Sequence, residues 1–201
     1  MKYQSIIVMG VSGCGKSTLG LALANRLGWG FIEGDTHHPA ANVAKMRAGT
    51  PLNDTDRAPW LAELSVLLSS APQQVLSCSS LKAAYRQVLA GSKPEQCLFV
   101  YVQGTFEQIS DRLKQAAQGD RAGHYMPNSL LQSQFDALEA QQAHAGGTGI
   151  QVVTIALTHS TAQQIEAVLR FCQSLEGAST NSKNSVRAEP VEAFLLSKAT
   201  P

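Results

Sequence analysis

The chain predicts an α/β fold: a five-stranded parallel sheet with helices on both faces. Three observations carry this. Short apolar runs alternate with helical patterns along most of the sequence, the order that builds parallel strands joined by crossover helices. Between the first run and the first helical pattern lies Gly10-Val11-Ser12-Gly13-Cys14-Gly15-Lys16-Ser17, a phosphate-binding loop in the strand–loop–helix context that gives the pattern its meaning. The 201 residues, 44% apolar and 15% charged, suit a single globular domain.

The elements follow in order. Ser5-Ile6-Ile7-Val8-Met9 is apolar and β-branched and reads as a buried strand. Thr18 to Leu27 reads as a helix, because Leu19, Leu23 and Leu27 recur every four residues. Gly28 and Gly30 punctuate, and Phe31-Ile32-Glu33-Gly34-Asp35 reads as a second strand ending in an acid. Residues 36–56 are polar and turn-rich, with a brief helix around Ala41 to Arg47. Trp60, Leu61, Leu64, Leu67 and Leu68 share one helical face. Val75-Leu76-Ser77-Cys78 predicts a third strand, followed by a helix carrying Leu81, Tyr85, Val88 and Leu89. Leu98 to Val102 is a fourth strand. Thr105-Phe106-Glu107-Gln108 is a capping box that opens a helix with Ile109 and Leu113. Residues 116–127, rich in Gly and Ala, predict a mobile loop holding Arg121 and His124. Leu130, Leu131, Phe135 and Leu138 mark another helix, and Val152 to Leu157 the fifth strand. Thr161-Ala162-Gln163-Gln164 is expected to cap a last helix through Ile165, Val168, Leu169 and Cys172. The domain is therefore expected over 1–176. Residues 177–201 open with linker composition and are expected to form a disordered tail.

The loop residues specify a ligand class. Gly10, Gly13 and Gly15 let the backbone curl and bring its N–H groups up to phosphate oxygens. The helix starting near Lys16 adds the positive end of its dipole. Lys16 is expected to reach the β- and γ-phosphates and the Ser17 hydroxyl to ligate Mg²⁺. Val11, Ser12, Cys14 and Thr18 complete the expected nucleotide-binding stretch. ATP and Mg²⁺ are thus the expected cofactors.

Bulk properties exclude other classes. A net charge of +1 argues against a nucleic-acid partner or a polybasic membrane surface. No run approaches the ~18 apolar residues of a membrane span, and the early first strand leaves no room for a signal peptide, so a cytoplasmic protein is expected. Cys14, Cys78, Cys97 and Cys172 form no C-x-x-C pair and are expected to be reduced thiols. Cys14 lies beside Lys16 and a helix start, conditions that lower a thiol pKa; a mildly reactive thiol is expected there.

Neither the third nor the fourth strand ends in Asp: the third ends Cys78-Ser79-Ser80 and the fourth Gln103-Gly104. The acid comes early, at Asp35. A small chain with that arrangement reads as a small-molecule kinase.

Several motifs then occur in series: Met9 to Ser17, Gly34-Asp35-Thr36-His37-His38-Pro39, Asn42-Val43-Ala44-Lys45-Met46, Gly49 to Leu61 with its Pro51-Leu52-Asn53-Asp54-Thr55-Asp56-Arg57-Ala58-Pro59-Trp60-Leu61, Cys78 to Lys82 with Tyr85-Arg86, Gly123-His124-Tyr125-Met126-Pro127, and Gln134-Phe135. In that order they resemble the bacterial thermoresistant-type gluconokinases, of the shikimate and nucleoside monophosphate kinase-like group. The resemblance implies a three-layer P-loop kinase fold with a mobile lid. It implies ATP-dependent phosphorylation of D-gluconate to 6-phospho-D-gluconate, and a homodimer.

The chemistry of that acceptor assigns roles. Asp35 is the candidate to orient or deprotonate the acceptor hydroxyl. Arg57, Lys82 and Arg86 are candidates for the substrate carboxylate. His38 is a candidate for its hydroxyls, while adjacent His37 and His38 do not make a metal pair. Asp54 and Asp56 read as braces for Arg57 or Trp60. Arg112, Arg121 and His124 resemble lid positions, within about 112–127, that close over the transferring phosphate and exclude water. Two departures from the family pattern stand out: a shortened stretch between Trp60 and Cys78, and a lid expanded near Gln115 to Asp120. Two alternatives stay open: another small-molecule P-loop kinase, acting on shikimate, adenylyl sulfate or a nucleotide, and an ATP-binding homologue with impaired catalysis. The segment from Pro51 to Leu61 favours gluconate.

Overall fold

The computed structural model describes residues 1–118, 128–139 and 149–184. Five strands, β1 (Ser5–Met9), β2 (Gly30–Glu33), β3 (Gln74–Ser77), β4 (Cys97–Gln103) and β5 (Gln151–Ala156), form one sheet in the order β2-β3-β1-β4-β5. Every pairing is parallel. β1 is central and buried along its whole length, which is why its sequence is a continuous apolar run rather than an alternating one.

Seven helices complete the described chain: α1 (Lys16–Leu27), α2 (Ala40–Arg47), α3 (Asp54–Ser70), α4 (Ala83–Ala90), α5 (Phe106–Gln118), α6 (Asn128–Ala137) and α7 (Thr161–Asn184). Side chains alternate across a strand, so β1 feeds two cores. Ile6 and Val8 pack with Leu19 and Leu23 of α1, Ile109 of α5, Leu131 of α6 and Val168 of α7. Ile7 and Met9 pack with Trp60, Leu61 and Leu64 of α3 and with Tyr85 and Leu89 of α4. The result is the three-layer α/β architecture expected.

Several local readings shift. β2 stops at Glu33, and Gly34–His37 forms a 3₁₀ turn, so Asp35 stands just past the strand instead of ending it. The Thr36 hydroxyl donates to the Glu33 carbonyl at 2.8 Å and fixes that bend. Val88 is 44% exposed, because α4 buries its Tyr85, Arg86, Leu89 and Ala90 face and turns Val88 outward. Leu81, grouped with that helix, lies before it. The capping box at Thr105 is present: its N–H donates to Gln108 Oε1 at 2.9 Å, and the Gln108 N–H donates to Thr105 Oγ1 at 3.3 Å. At α7 the box forms one residue earlier than expected, between Ser160 and Gln163, at 2.9 and 3.3 Å. Gln164 instead donates to the Ala156 carbonyl at 3.1 Å and ties α7 to β5.

α5 continues through Gln118, so the first part of the expected lid is helical; residues 119–127 lie outside the described residues. α7 likewise runs past 176 to Asn184. A helix already nucleated lengthens one residue at a time, and no proline intervenes before Pro190. The remainder of the expected tail, 185–201, lies outside the described residues.

One position tests local strain. Gln73 is exposed and has φ 62°, a left-handed conformation costing an L-residue about 1–2 kcal/mol. Its backbone is held there: its N–H donates to the Gln4 carbonyl at 2.8 Å, and its carbonyl accepts from Gly30 at 3.0 Å. Gln73→Gly is expected to stabilise by about 0.5–1 kcal/mol after the greater unfolded-state freedom of Gly is counted. A higher urea midpoint with unchanged slope is the expected reading; a lower midpoint contradicts the strain.

Candidate active site

The phosphate loop leaves β1 through a turn that only glycine fills. Gly10 and Gly13 take φ 137° and 83°. A Cβ on Gly10 would come within 2.9 Å of the Val102 carbonyl, and one on Gly13 within 2.8 Å of Leu113. The Gly10 N–H donates to the Ser79 carbonyl at 3.2 Å, fixing the loop to the turn after β3. α1 then starts with Gly15 as its N-cap, with no side-chain cap and no acid in its first turn. Its positive dipole end therefore faces the loop without an internal counter-charge. Lys16 is buried, and its Nζ donates to the Val11 carbonyl at 3.1 Å, across the loop. Arg112 of α5 brings its guanidinium to 3.7 Å from where a Cβ of Gly15 would stand.

These residues suit a polyphosphate. Among the described residues no three His, Cys, Asp or Glu side chains converge to hold a metal. The exposed Ser17 hydroxyl lies 3.5 Å from that of Ser77 at the end of β3. That donor set suits Mg²⁺ shared with phosphates, since Mg²⁺ keeps several waters and needs few protein ligands.

Cys14 departs from expectation. It is buried in the loop, and that burial raises its thiol pKa above 9.0, outweighing the opposing pull of Lys16 and of the Lys16 backbone. Proximity to a cation lowers a thiol pKa only where the thiolate keeps enough solvation.

Beside the loop lies a cavity of about 160 Å³ lined by Lys16, Asp35, His38 and Arg57, four predicted residues drawn from three segments. Trp60 organises it. Its indole N–H donates to the Gly34 carbonyl at 2.8 Å, and its ring stacks on His38 with centroids 4.0 Å apart and 18° between planes. His38 Nδ1 is buried without a hydrogen-bond partner among the described residues. Burial lowers the His38 pKa below 6.5 against the opposing influence of Asp35, so the imidazole is neutral at pH 7 and offers a donor and an acceptor. His37 turns away to Glu63, at 2.8 Å; the two histidines diverge, as expected.

Arg57 is half-buried, donates to the Leu52 carbonyl and lies 5.8 Å from the Tyr85 ring centroid. It also lines an adjoining cavity of about 480 Å³ together with Lys82. There Lys82 donates to both Asp54 carboxylate oxygens, at 2.7 and 2.9 Å, and the Tyr85 hydroxyl donates to the same carboxylate. Asp54 thus braces Lys82 and Tyr85. Asp56 accepts from Lys45 at 2.5 Å and forms the α3 capping box with Asn53. Neither hydrogen-bonds to Arg57 or Trp60, but the Arg57 charge helps lower the pKa of both carboxylates, so the expected brace on Arg57 is electrostatic only. Arg86 is also placed differently. It is buried and donates to the Ser80 and Leu81 carbonyls, both at 3.1 Å, bracing the turn before α4 and lining neither cavity. Arg121 and His124 lie outside the described residues.

Sequence reasoning assigned no role to Gln134, which lines the smaller cavity along with Ser79. Gln134 was visible only as part of a motif; a lone amide on a helix has no local signature.

A family model described as shikimate kinase matches residues 12–172. The gluconokinase of Gluconobacter oxydans is 46% identical over 144 residues, covering 69% of this chain and 77% of its own. The thermosensitive gluconokinase of Escherichia coli is 39% identical over 197 residues, covering 94% of this chain and 100% of its own. A crystal structure of a gluconokinase from Sinorhizobium meliloti superposes with TM-score 0.75 at 38% identity, covering 88% of this chain and 97% of that one. The chain belongs to the gluconokinase family. Its P-loop kinase fold is the family's, and among the described residues no helix is long and apolar enough to cross a membrane.

Two measurements probe this gluconokinase-family site. Trp60→Phe keeps an aromatic ring but removes the indole N–H and some buried volume, orphaning the Gly34 carbonyl, and is expected to cost at least about 1–3 kcal/mol in urea unfolding; no loss would mean the indole N–H does not anchor Gly34. Lys82 and Tyr85 hold the Asp54 pKa below 3.8, and its bond to Asp54 holds Lys82 above 10.5. The carboxylate's contribution is therefore present above its usual range and lost as pH falls through the lowered value. The stability gap between wild type and Asp54→Asn should shrink as pH falls below about 4. A gap independent of pH would contradict the ion pair.

Proposed function

We propose that this chain transfers the γ-phosphoryl group of ATP to D-gluconate, yielding 6-phospho-D-gluconate and ADP. The observation that carries this reading is the cavity shared by Lys16, Asp35, His38 and Arg57. It places a carboxylate, a neutral imidazole and a guanidinium against the phosphate loop, and an acceptor bearing hydroxyls and a carboxylate needs each of them. The gluconokinase relatives support the same acceptor.

Phosphoryl transfer depends on positioning and charge neutralisation. Asp35 orients the acceptor's primary hydroxyl and takes its proton as the oxygen bonds to the γ-phosphorus; the bond to the bridging oxygen breaks and ADP leaves with that electron pair. His38, whose neutral imidazole lines the same cavity, bonds acceptor hydroxyls. Arg57 holds the substrate carboxylate in a charge-assisted bond, and Lys82 extends the basic wall into the adjoining cavity. Arg86 supports them indirectly by bracing the turn. Lys16 balances charge on the β- and γ-phosphates. Ser17 would hold Mg²⁺, which supplies charge neutralisation to the phosphates. Gly10, Val11, Ser12, Gly13, Cys14, Gly15 and Thr18 surround the nucleotide, with Arg112 over Gly15. Arg121 and His124 are assigned to a closing lid on motif resemblance alone. A homodimer, a cytoplasmic location and a catalytic domain ending near 176 are likewise part of the proposal.

ADP release from Mg-ATP should depend on D-gluconate, with shikimate and AMP giving none. Asp35→Asn should lower kcat by about 10²–10⁴-fold. Arg57→Ala should raise KM for gluconate by about 10–100-fold, the worth of a charge-assisted bond. Stimulation by another acceptor, or by none, overturns the assignment.

A further inference from the structure

Gln134 joins two parts of the molecule that the proposed reaction must coordinate. The Ser12 N–H donates to Gln134 Oε1 at 2.7 Å, and Gln134 Nε2 donates to Ser12 Oγ at 3.1 Å. The partners are 122 positions apart in sequence. One bond goes to the backbone and one to the side chain of the same loop residue, so the pair fixes both position and orientation. The helix that carries Gln134 also supplies Leu130 and Ser133 to the wall of the acceptor cavity.

α6 is seated firmly enough to transmit a displacement. Leu131 is fully buried in the core, and Phe135 meets Phe106 of α5 with centroids 5.6 Å apart. Just beyond the helix, the Glu139 N–H donates to the Leu81 carbonyl at 3.1 Å, and its carboxylate accepts from the Ala83 N–H at 2.5 Å. The helix therefore runs as a strut from the phosphate loop to the turn that carries Lys82.

The geometry points to Gln134 as a positioning residue that couples acceptor binding to nucleotide binding. An acceptor filling the cavity packs on α6 and fixes Gln134 against Ser12, which holds the loop in its phosphate-receiving shape. A nucleotide that orders the loop holds the cavity wall in turn, because coupling between two binding sites is reciprocal. This rests on the gluconokinase reading above.

The test is calorimetric titration of the full chain with a non-hydrolysable ATP analogue and Mg²⁺, with and without saturating D-gluconate. Wild type, Gln134→Met and Gln134→Glu are compared, with thermal melts and gluconate turnover measured on the same preparations. In wild type, gluconate should tighten the analogue by about 5-fold or more, the lower range of measured couplings. Gln134→Met keeps the side-chain volume but neither bond; its coupling should fall below about 2-fold while a cooperative melt is retained. Gln134→Glu keeps an acceptor for the Ser12 N–H and should restore part of the coupling, though with weaker analogue binding from like-charge repulsion. A purely structural role would lower the melting temperature and leave the coupling factor intact. Wild-type turnover of gluconate with equal coupling in wild type and Gln134→Met, or with no coupling in wild type, overturns this proposal alone. Absence of gluconate turnover in wild type overturns the acceptor assignment, and this proposal with it.

Discussion

The tight turn after β1 is the constraint on which the site depends. A polyanion taken out of water needs many weak donors aimed inward, and backbone N–H groups supply them only where the chain curls with little side-chain bulk. Four elements meet that turn. β4 presents the Val102 carbonyl against Gly10, and the turn after β3 accepts the Gly10 N–H through Ser79. α5 lays Leu113 on Gly13, and α6 bonds Ser12 through Gln134. The loop is thus held by its surroundings at nearly every step, which preorganises its donors for a phosphate.

A second pivot, Trp60, controls the acceptor side. A fully buried indole supplies a large packing contribution and one directional hydrogen bond. Here the bond fixes the Gly34 carbonyl, and the ring face supports His38. Asp35 lies between those two anchored residues and is positioned through the backbone although its own side chain is exposed. Surface contacts contribute less: the His37–Glu63 hydrogen bond at 2.8 Å and the Lys45–Asp56 ion pair at 2.5 Å lie near solvent, where an exposed ion pair is worth about 0–1 kcal/mol. Their use is geometric: Lys45 with Asp56 ties α2 to α3, and His37 with Glu63 ties the 3₁₀ turn to α3.

The strands and helices were legible because apolar periodicity and burial are the same information read twice. The phosphate loop and the Pro51–Leu61 segment were legible because their residue types have few alternative uses. What escaped the sequence depended on orientation. Arg86 and Arg57 are equally plausible anion ligands on paper; only the inward turn of α4 commits Arg86 to backbone carbonyls. Ser160 and Thr161 each have a Gln three residues on, so the pattern alone left two possible caps for α7. Cys14 has the cationic neighbours that lower a thiol pKa, but its burial, which decides the sign, is a tertiary fact. Gln134 gains its role from a contact across 122 positions, which no local pattern encodes.

The placement of acids also bears on how such a site favours a sugar hydroxyl over water. In a P-loop hydrolase, an aspartate at the end of the neighbouring strand sits close to the loop hydroxyl and helps organise Mg²⁺ and its waters. Here that neighbourhood holds Ser77, whose neutral hydroxyl lies 3.5 Å from Ser17. The carboxylate that lines the cavity, Asp35, stands instead on the acceptor side, beside His38 and Arg57. A base located there serves a nucleophile held by the imidazole and the guanidinium, and gives less help to a water beside the metal. On the proposed reading, discrimination against water thus begins with which strand end carries the acid, before any closure over the phosphates adds to it.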